Sequence, residues 1–224
     1  LSNAIENAQK NVESRNFQAR KNVLEYDDVM NVQRNVIYEE RRKVLDGEDL
    51  QEHVQHMIRT VVTGEIAAGM AEHHPENDKD LQEILAPMAK LFPCELHYTA
   101  DELRKLTPDA LADAVYDCAM KAYAAREENF GLQPDGTPLM RELERVVMLR
   151  VVDEYWMDHL EAMDDLRQGI GLRAYGNVKP VDEYKRAGFD MFDEMVNGIQ
   201  TETVRRLFTV RVRREQKLER KTVA

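Results

Sequence analysis

The histidines are the residues of this sequence whose spacing could support metal chemistry. His53 and His56 lie three residues apart, and His73 and His74 are adjacent in a later segment. Because imidazole is a common zinc ligand, two such pairs could serve a metal-dependent enzyme. The sequence contains no H-E-x-x-H motif, however, and no specific carboxylate support for the histidines. We therefore predict surface histidines and no metal site.

Acidic residues form three clusters that could support acid–base chemistry. They are Glu25 with Asp27 and Asp28, Asp153 with Glu154, and Asp164 with Asp165. Paired carboxylates act as acid and base where a pocket separates their pKa values. The long amphipathic segments that carry these clusters offer no obvious pocket. The pattern favours solvated or salt-bridged faces, and we predict no catalytic residue.

Motifs for nucleotide binding and for nucleophilic catalysis are absent from the sequence. It contains neither G-x-x-x-x-G-K-[ST] nor G-x-S-x-G. The two cysteines, Cys94 and Cys118, form no C-x-x-C motif, and we expect reduced thiols in a cytosolic protein. No apolar run approaches the roughly 20 residues of a membrane-spanning helix, and no signal peptide is visible.

The charge of the chain argues against nucleic acid as a partner. The formal net charge is −11, whereas nucleic-acid binding usually needs a basic face. The stretch "RRLFTVRVRREQKLERK" near the end of the chain is strongly basic. It could contact phosphates or anionic lipid, but the pattern favours a solvated helix end whose positive charge suits the helix dipole.

Composition and periodicity predict an all-α protein built around one very long helix. Charged residues make up 33% of the chain and aromatic residues 7%, with 10 Gly and 7 Pro, which is a poor composition for strands. Residues 3–46 contain no Gly or Pro, and apolar residues recur there at steps of three, four or seven. Such a helix would be about 60 Å long and must contact several neighbours, because one compact core cannot cover its length.

Shorter helices are predicted after "DGED", where turn signals become frequent. Their approximate bounds are 49–71, 79–91, 100–106 and 108–129. Thr99 and Glu102 have the spacing of a capping box. Thr107 precedes Pro108, which suits the cap and first position of the last of these helices. These elements form a small helical module inserted between long-helix segments.

Two further apolar stripes predict an antiparallel helical hairpin. They flank the segment "GIGLRAYGNVKP", and each is long enough for a helix of about 30 residues. Trp156, at helical spacing from Val152 and Leu160, is predicted to be a packing anchor. Tyr175 lies at the tip, where it could contact a partner chain or simply pack on its own hairpin.

Two stretches closely resemble the SecA family of bacterial preprotein translocase ATPases. They are "ARKNVLEYDDVMNVQRNVIYEERRKVL" and "MDHLEAMDDLRQGIGLRAYGNVKPVDEYKRAGFDMF". The resemblance covers nearly the whole chain and is loosest in the middle module. It implies a long scaffold helix over 1–46, an inserted small helical wing domain over 47–137, and a continued scaffold with an antiparallel two-helix finger over 138–224.

The resemblance implies a mechanical function in an ATP-driven protein-export motor. Movements of motor domains outside this sequence would be coupled to the finger, which engages the preprotein at the SecYEG channel. The family's finger tip matches "LRAYGN", so polypeptide contact is assigned to Leu172, Arg173 and Tyr175. Interdomain contacts are expected from five charged residues of the long helix: Glu25, Asp27, Asp28, Arg41 and Arg42.

The resemblance also implies which ligands and partners belong to the intact protein. ATP and magnesium would bind the motor domains and zinc a Cys-rich tail, so no cofactor and no ATP hydrolysis are expected of this segment. Expected partners are SecYEG, unfolded preproteins and the anionic membrane surface, with a homodimer possible. The location would be cytoplasmic and peripheral on the inner membrane. The alternative is a non-motor scaffold or adaptor, which a missing Walker A motif upstream in the gene would favour.

Overall fold

The protein is described from a computed structural model. The structure describes residues 2–47, 50–73, 78–93, 99–173 and 179–211. Within these ranges it contains seven helices: α1 (Ser2–Asp46), α2 (Leu50–Glu72), α3 (Asp78–Leu91), α4 (Ala100–Leu103), α5 (Pro108–Phe130), α6 (Leu139–Arg173) and α7 (Pro180–Thr209). The β-structure of the described ranges is one isolated bridge, between Leu132 and Pro138. The predicted all-α class is confirmed, while the division into scaffold and wing domains stays a prediction.

Helix α1 has 45 residues, which corresponds to about 68 Å. It ends as predicted at "DGED", where Gly47 has a φ of 76°, a left-handed conformation that glycine adopts without steric cost. Only the second half of α1 contributes to the core, through Ile37 and Val44. In the first half, large apolar side chains such as Val12 and Phe17 are exposed.

Helices α2 to α5 form the inserted module around a shared apolar core. Val54, Ile58 and Val62 of α2 are completely buried, and α2 packs against both α3 and α5. Cys118 in α5 is part of a disulfide, so the expectation of a reduced thiol is wrong for this residue. Cys94, the other cysteine of the sequence, lies outside the described residues.

The predicted caps of the module are confirmed. The Thr99 amide donates to Glu102 Oε2 at 2.9 Å, and the Glu102 amide donates to Thr99 Oγ1 at 3.3 Å. Thr107 Oγ1 accepts from the Ala110 amide at 3.3 Å, with Pro108 as the first residue of α5. Helix α4 ends at Leu103, before the predicted residue 106, and a turn over 104–105 follows it.

Helices α6 and α7 form the predicted antiparallel hairpin. Residues later in α6 meet residues earlier in α7: Tyr155 lies against Gly198, and Met163 lies against Gly188. A Cβ atom at Gly198 would approach Tyr155 Cε1 to 2.5 Å. The absence of a side chain at this position is therefore what lets the two helices pack so closely. None of the described helices is both long and apolar enough to cross a membrane.

The apolar interior is divided into two clusters. The larger one joins the inserted module, the second half of α1 and the base of the hairpin. The base is the part of the hairpin formed by 140–156 of α6 and 195–208 of α7. The smaller one, called here the second core, is formed by Met163, Ile170 and Tyr184. Tyr26, Val29 and Met30 of α1 pack against the second core, together with Leu166 and Met191 of the hairpin. The outer half of the hairpin is thus attached to α1 by a small separate cluster.

Candidate functional site

The junction between α1 and the hairpin is built around one buried amide side chain. Gln33 of α1 is 5% exposed. Its Nε2 atom donates to the backbone oxygen of Gly188 in α7 at 2.8 Å. Its Oε1 atom lies 2.9 Å from His159 Nε2 in α6. Because a carbonyl oxygen can only accept, the amide orientation follows, and His159 Nε2 must be the donor. One side chain therefore joins three helices.

Aromatic rings enclose the imidazole of this junction. The ring centroid of His159 is 5.7 Å from that of Trp156 and 5.8 Å from that of Phe192. Burial lowers the pKa of His159 below its ordinary value, so the neutral imidazole is favoured around neutral pH. Trp156 is 7% exposed, as expected of the predicted packing anchor.

Two of the five charged residues assigned to interdomain contacts form ion pairs that join α1 to α6. Arg41 Nε lies 3.1 Å from Asp153 Oδ1, and its Nη2 lies 3.5 Å from Oδ2. Asp27 Oδ1 lies 3.7 Å from Arg167 Nη1, and that guanidinium also lies over the ring of Tyr26. Both ion pairs are substantially exposed, so each is worth at most about 1 kcal/mol.

The other three charged residues do not reach a second helix through an ion pair in the part of the chain that the structure describes. Glu25 lies 3.8 Å from Lys21 on α1 itself. Asp28 and Arg42 are exposed, and Arg42 borders a groove between α1 and Trp156 of α6. Their assignment to interdomain contacts stays a prediction.

The residues assigned to the finger tip lie at the edge of the described structure. Leu172 and Arg173 belong to the last turn of α6. Tyr175 lies outside the described residues. Polypeptide contact by these three residues therefore also stays a prediction.

A buried charged cluster joins α5 to the base of α6. Glu144 is completely buried. The hydroxyl of Tyr123 donates to its Oε1, and Arg141 Nη1 lies 2.9 Å from its Oε2. Arg141 Nη2 also donates to Glu127 Oε2 at 2.6 Å. The pKa of Tyr123 is strongly raised, first by burial and then by the charge of Glu144.

The carboxylate clusters of the hairpin are engaged in ion pairs and hydrogen bonds. Glu154 Oε2 accepts from Arg206 at 2.6 Å, and Oε1 accepts from Arg150 at 2.9 Å. These two hydrogen bonds lower the pKa of Glu154 to about 2, so the group is ionised at neutral pH. Asp164 accepts from Gln168 at 2.7 Å. The arrangement fits the predicted salt-bridged faces.

The histidine pairs are not assembled into a metal centre by the described residues. His53 and His56 line an open groove beside Glu40 and Glu52. His73 Nδ1 lies 3.4 Å from a single carboxylate, that of Glu83, and residue 74 lies outside the described ranges. Within those ranges, no three His, Cys, Asp or Glu side chains are grouped to hold a metal ion.

Sequence reasoning missed the three buried polar residues of the α1–hairpin junction and of the buried charged cluster. Gln33, Glu144 and His159 were not singled out, although each occupies a position in an otherwise apolar helical stripe. Gln33 follows Met30 by three positions and precedes Ile37 by four. A polar residue at such a position was the available signal, since burial requires it to find hydrogen-bond partners.

Comparison with known proteins gives consistent relatives over nearly the whole chain. A family model described as "SecA Wing and Scaffold domain" matches residues 1–211. A protein translocase subunit SecA of Clostridium novyi is 47% identical over 224 residues, covering 100% of this chain and 26% of the relative. Similar subunits occur in Frankia casuarinae, with 47% identity, 95% coverage of this chain and 21% of the relative, and in Streptomyces coelicolor, with 45% identity and corresponding coverages of 98% and 23%. The chain thus spans about a quarter of the length of these relatives.

Proposed function

Because this chain belongs to the SecA wing and scaffold domain family, we propose that it is the coupling part of an ATP-driven protein-export motor. Nucleotide-driven movements of motor domains outside this chain are transmitted by α1 to the α6–α7 hairpin. The hairpin acts as a finger that engages the translocating polypeptide at the SecYEG channel. ATP and magnesium belong to the motor domains, and zinc to a tail outside this chain.

The packing of α1 is the observation that carries this proposal. Its second half packs against both helices of the hairpin, whereas its first half leaves apolar residues such as Ile5, Val12 and Phe17 exposed. Exposed apolar groups of this kind suit an interface with further domains. A single helix that holds the hairpin at one end and other domains at the other end can transmit displacement between them.

The proposed partners follow from the same arrangement. A tyrosine at the finger tip offers an amphipathic contact that does not depend on the sequence of the preprotein. Such a contact suits a motor that handles many unfolded substrates. The intact protein would work in the cytoplasm and on the cytoplasmic face of the inner membrane, where it meets SecYEG and anionic lipid.

Replacement of Tyr175 by alanine in the full-length protein is expected to reduce export several-fold while leaving the fold intact, because the proposed role of its ring is contact with substrate. Export of a test preprotein into membrane vesicles measures the effect. Phe189→Ala is the matched control, since Phe189 is 69% exposed on the side of the same hairpin. Equal export by the Tyr175 variant and the unmodified protein would contradict the tip assignment.

A further inference from the structure

We infer that Gln33 is a positioning residue that sets the register of α1 on the hairpin and makes the two move as one rigid body. The inference rests on the proposed function for its mechanical meaning. Its structural content rests only on the junction of Gln33, His159 and Gly188. It assigns a task to a buried side chain of α1.

The two hydrogen bonds of Gln33 have opposite polarity. The amide nitrogen needs an acceptor on α7, and the amide oxygen needs a donor on α6. A shift of α1 along the hairpin by one helical turn, which brings the same face of α1 back onto the hairpin, moves Gln33 by about 5.4 Å. That shift stretches both hydrogen bonds beyond useful length and leaves buried polar groups unpaired. The junction can therefore form in only one register of α1 on the hairpin.

The backbone of α7 is accessible at this level because residue 188 is glycine. A Cβ atom there would lie 2.7 Å from Met163 Cε of α6 and 3.7 Å from Val29 Cγ1 of α1. Both neighbouring helices thus approach α7 at the same point. The close approach allows a side chain of α1 to hydrogen-bond to a carbonyl oxygen within the body of another helix.

Other contacts between α1 and the hairpin discriminate less between registers. The contacts of the second core are apolar, and apolar burial is not directional. The ion pairs Arg41–Asp153 and Asp27–Arg167 are largely exposed, and their long side chains can follow a shift of the helix. Among the described residues of α1, Gln33 is the only buried polar side chain.

A double variant separates register from stability. Gln33→Leu alone leaves the buried His159 donor unpaired and is expected to lower the melting temperature of the full-length protein. Gln33→Leu combined with His159→Phe replaces both partners by apolar groups of similar size, which can be nearly neutral for stability. We expect the double variant to melt within about 4 °C of the unmodified protein. Gln18→Leu is the matched control, because the Gln18 hydrogen bond stays within α1.

The register is measured by pulsed electron paramagnetic resonance, which gives the distance between two spin labels. The labels are placed at two exposed positions, Asn35 of α1 and Asp190 of α7. The distance distribution is expected to be narrow in the unmodified protein and in Gln18→Leu. It is expected to broaden about two-fold in the double variant despite recovered stability. A distribution that stays narrow in the double variant overturns the inference. If the double variant does not fold, the same measurement on Gln33→Met decides, with the same two outcomes.

Export by the same variants tests the proposed function separately. A broadened distribution with more ATP hydrolysed per exported chain supports both the register assignment and the coupling function. A broadened distribution with unchanged export supports the register assignment and contradicts the coupling function. A narrow distribution rejects the register assignment whatever the export rate.

Discussion

Replacement of Arg141 by methionine is expected to lower the free energy of unfolding by about 3–5 kcal/mol, the cost of removing one partner from a buried ion pair. The guanidinium faces Glu144, which is completely buried. Methionine fills much of the space of the arginine stem but supplies no charge. The hydroxyl of Tyr123 is then left beside a buried carboxylate that has lost the charge of Arg141.

Chemical denaturation of Arg141→Met at several pH values checks this expectation. In the variant, desolvation favours the protonated Glu144 carboxyl in the folded state over the unfolded state. A group that holds its proton more tightly when folded stabilises at low pH and loses that contribution as pH rises. The deficit of the variant should therefore shrink as pH falls from 7 toward about 4, near the ordinary pKa of glutamate.

Arg145→Met is the matched control for the buried cluster. Arg145 lies one turn further along α6 and pairs with Glu142 at 2.8 Å, but both side chains are more than 40% exposed. Its loss should change stability little, because a solvated ion pair contributes little. Equal destabilisation by the two variants would show that the burial of Glu144 has no special role at the base of the hairpin.

Replacement of Tyr184 by alanine is expected to loosen the outer half of the hairpin, at a cost of about 3–5 kcal/mol, the range for large aromatic residues in a core. Tyr184 is 2% exposed and meets Tyr26 of α1 edge to face, with ring centroids 4.8 Å apart. Because the second core contains few side chains, loss of the Tyr184 ring removes a large share of the apolar contacts between this part of the hairpin and α1.

Hydrogen exchange locates the effect of the Tyr184 variant. Amide protection should fall mainly in the first turns of α7 and the last turns of α6, while α2 and α5 keep theirs. Tyr38→Ala is the control, because Tyr38 is 54% exposed on α1. A uniform loss of protection over α2, α5 and α7 would show that the two cores unfold as one unit and would contradict their separation.

Local features of this protein could be predicted from sequence because their causes lie within a few residues. The Thr99–Glu102 box and the Thr107–Pro108 start were confirmed, since a cap depends on a side chain and the amides two or three positions away. The end of α1 at Gly47 followed from the same kind of local chemistry. The family could also be recognised from two long stretches, although the tip residues it points to stay predictions.

The sequence by itself determined that this chain forms one very long helix, then a module of shorter helices and then a helical hairpin. Tertiary structure decided which polar residues of those helices are buried and what they bind. Gln33 meets partners 126 and 155 positions away. Helical periodicity places Gln33 on the apolar face of α1, but it does not show which residues cover that face. The role of a polar residue in an apolar stripe therefore depends on how distant segments pack against it. Periodicity along one helix carries no information about that packing.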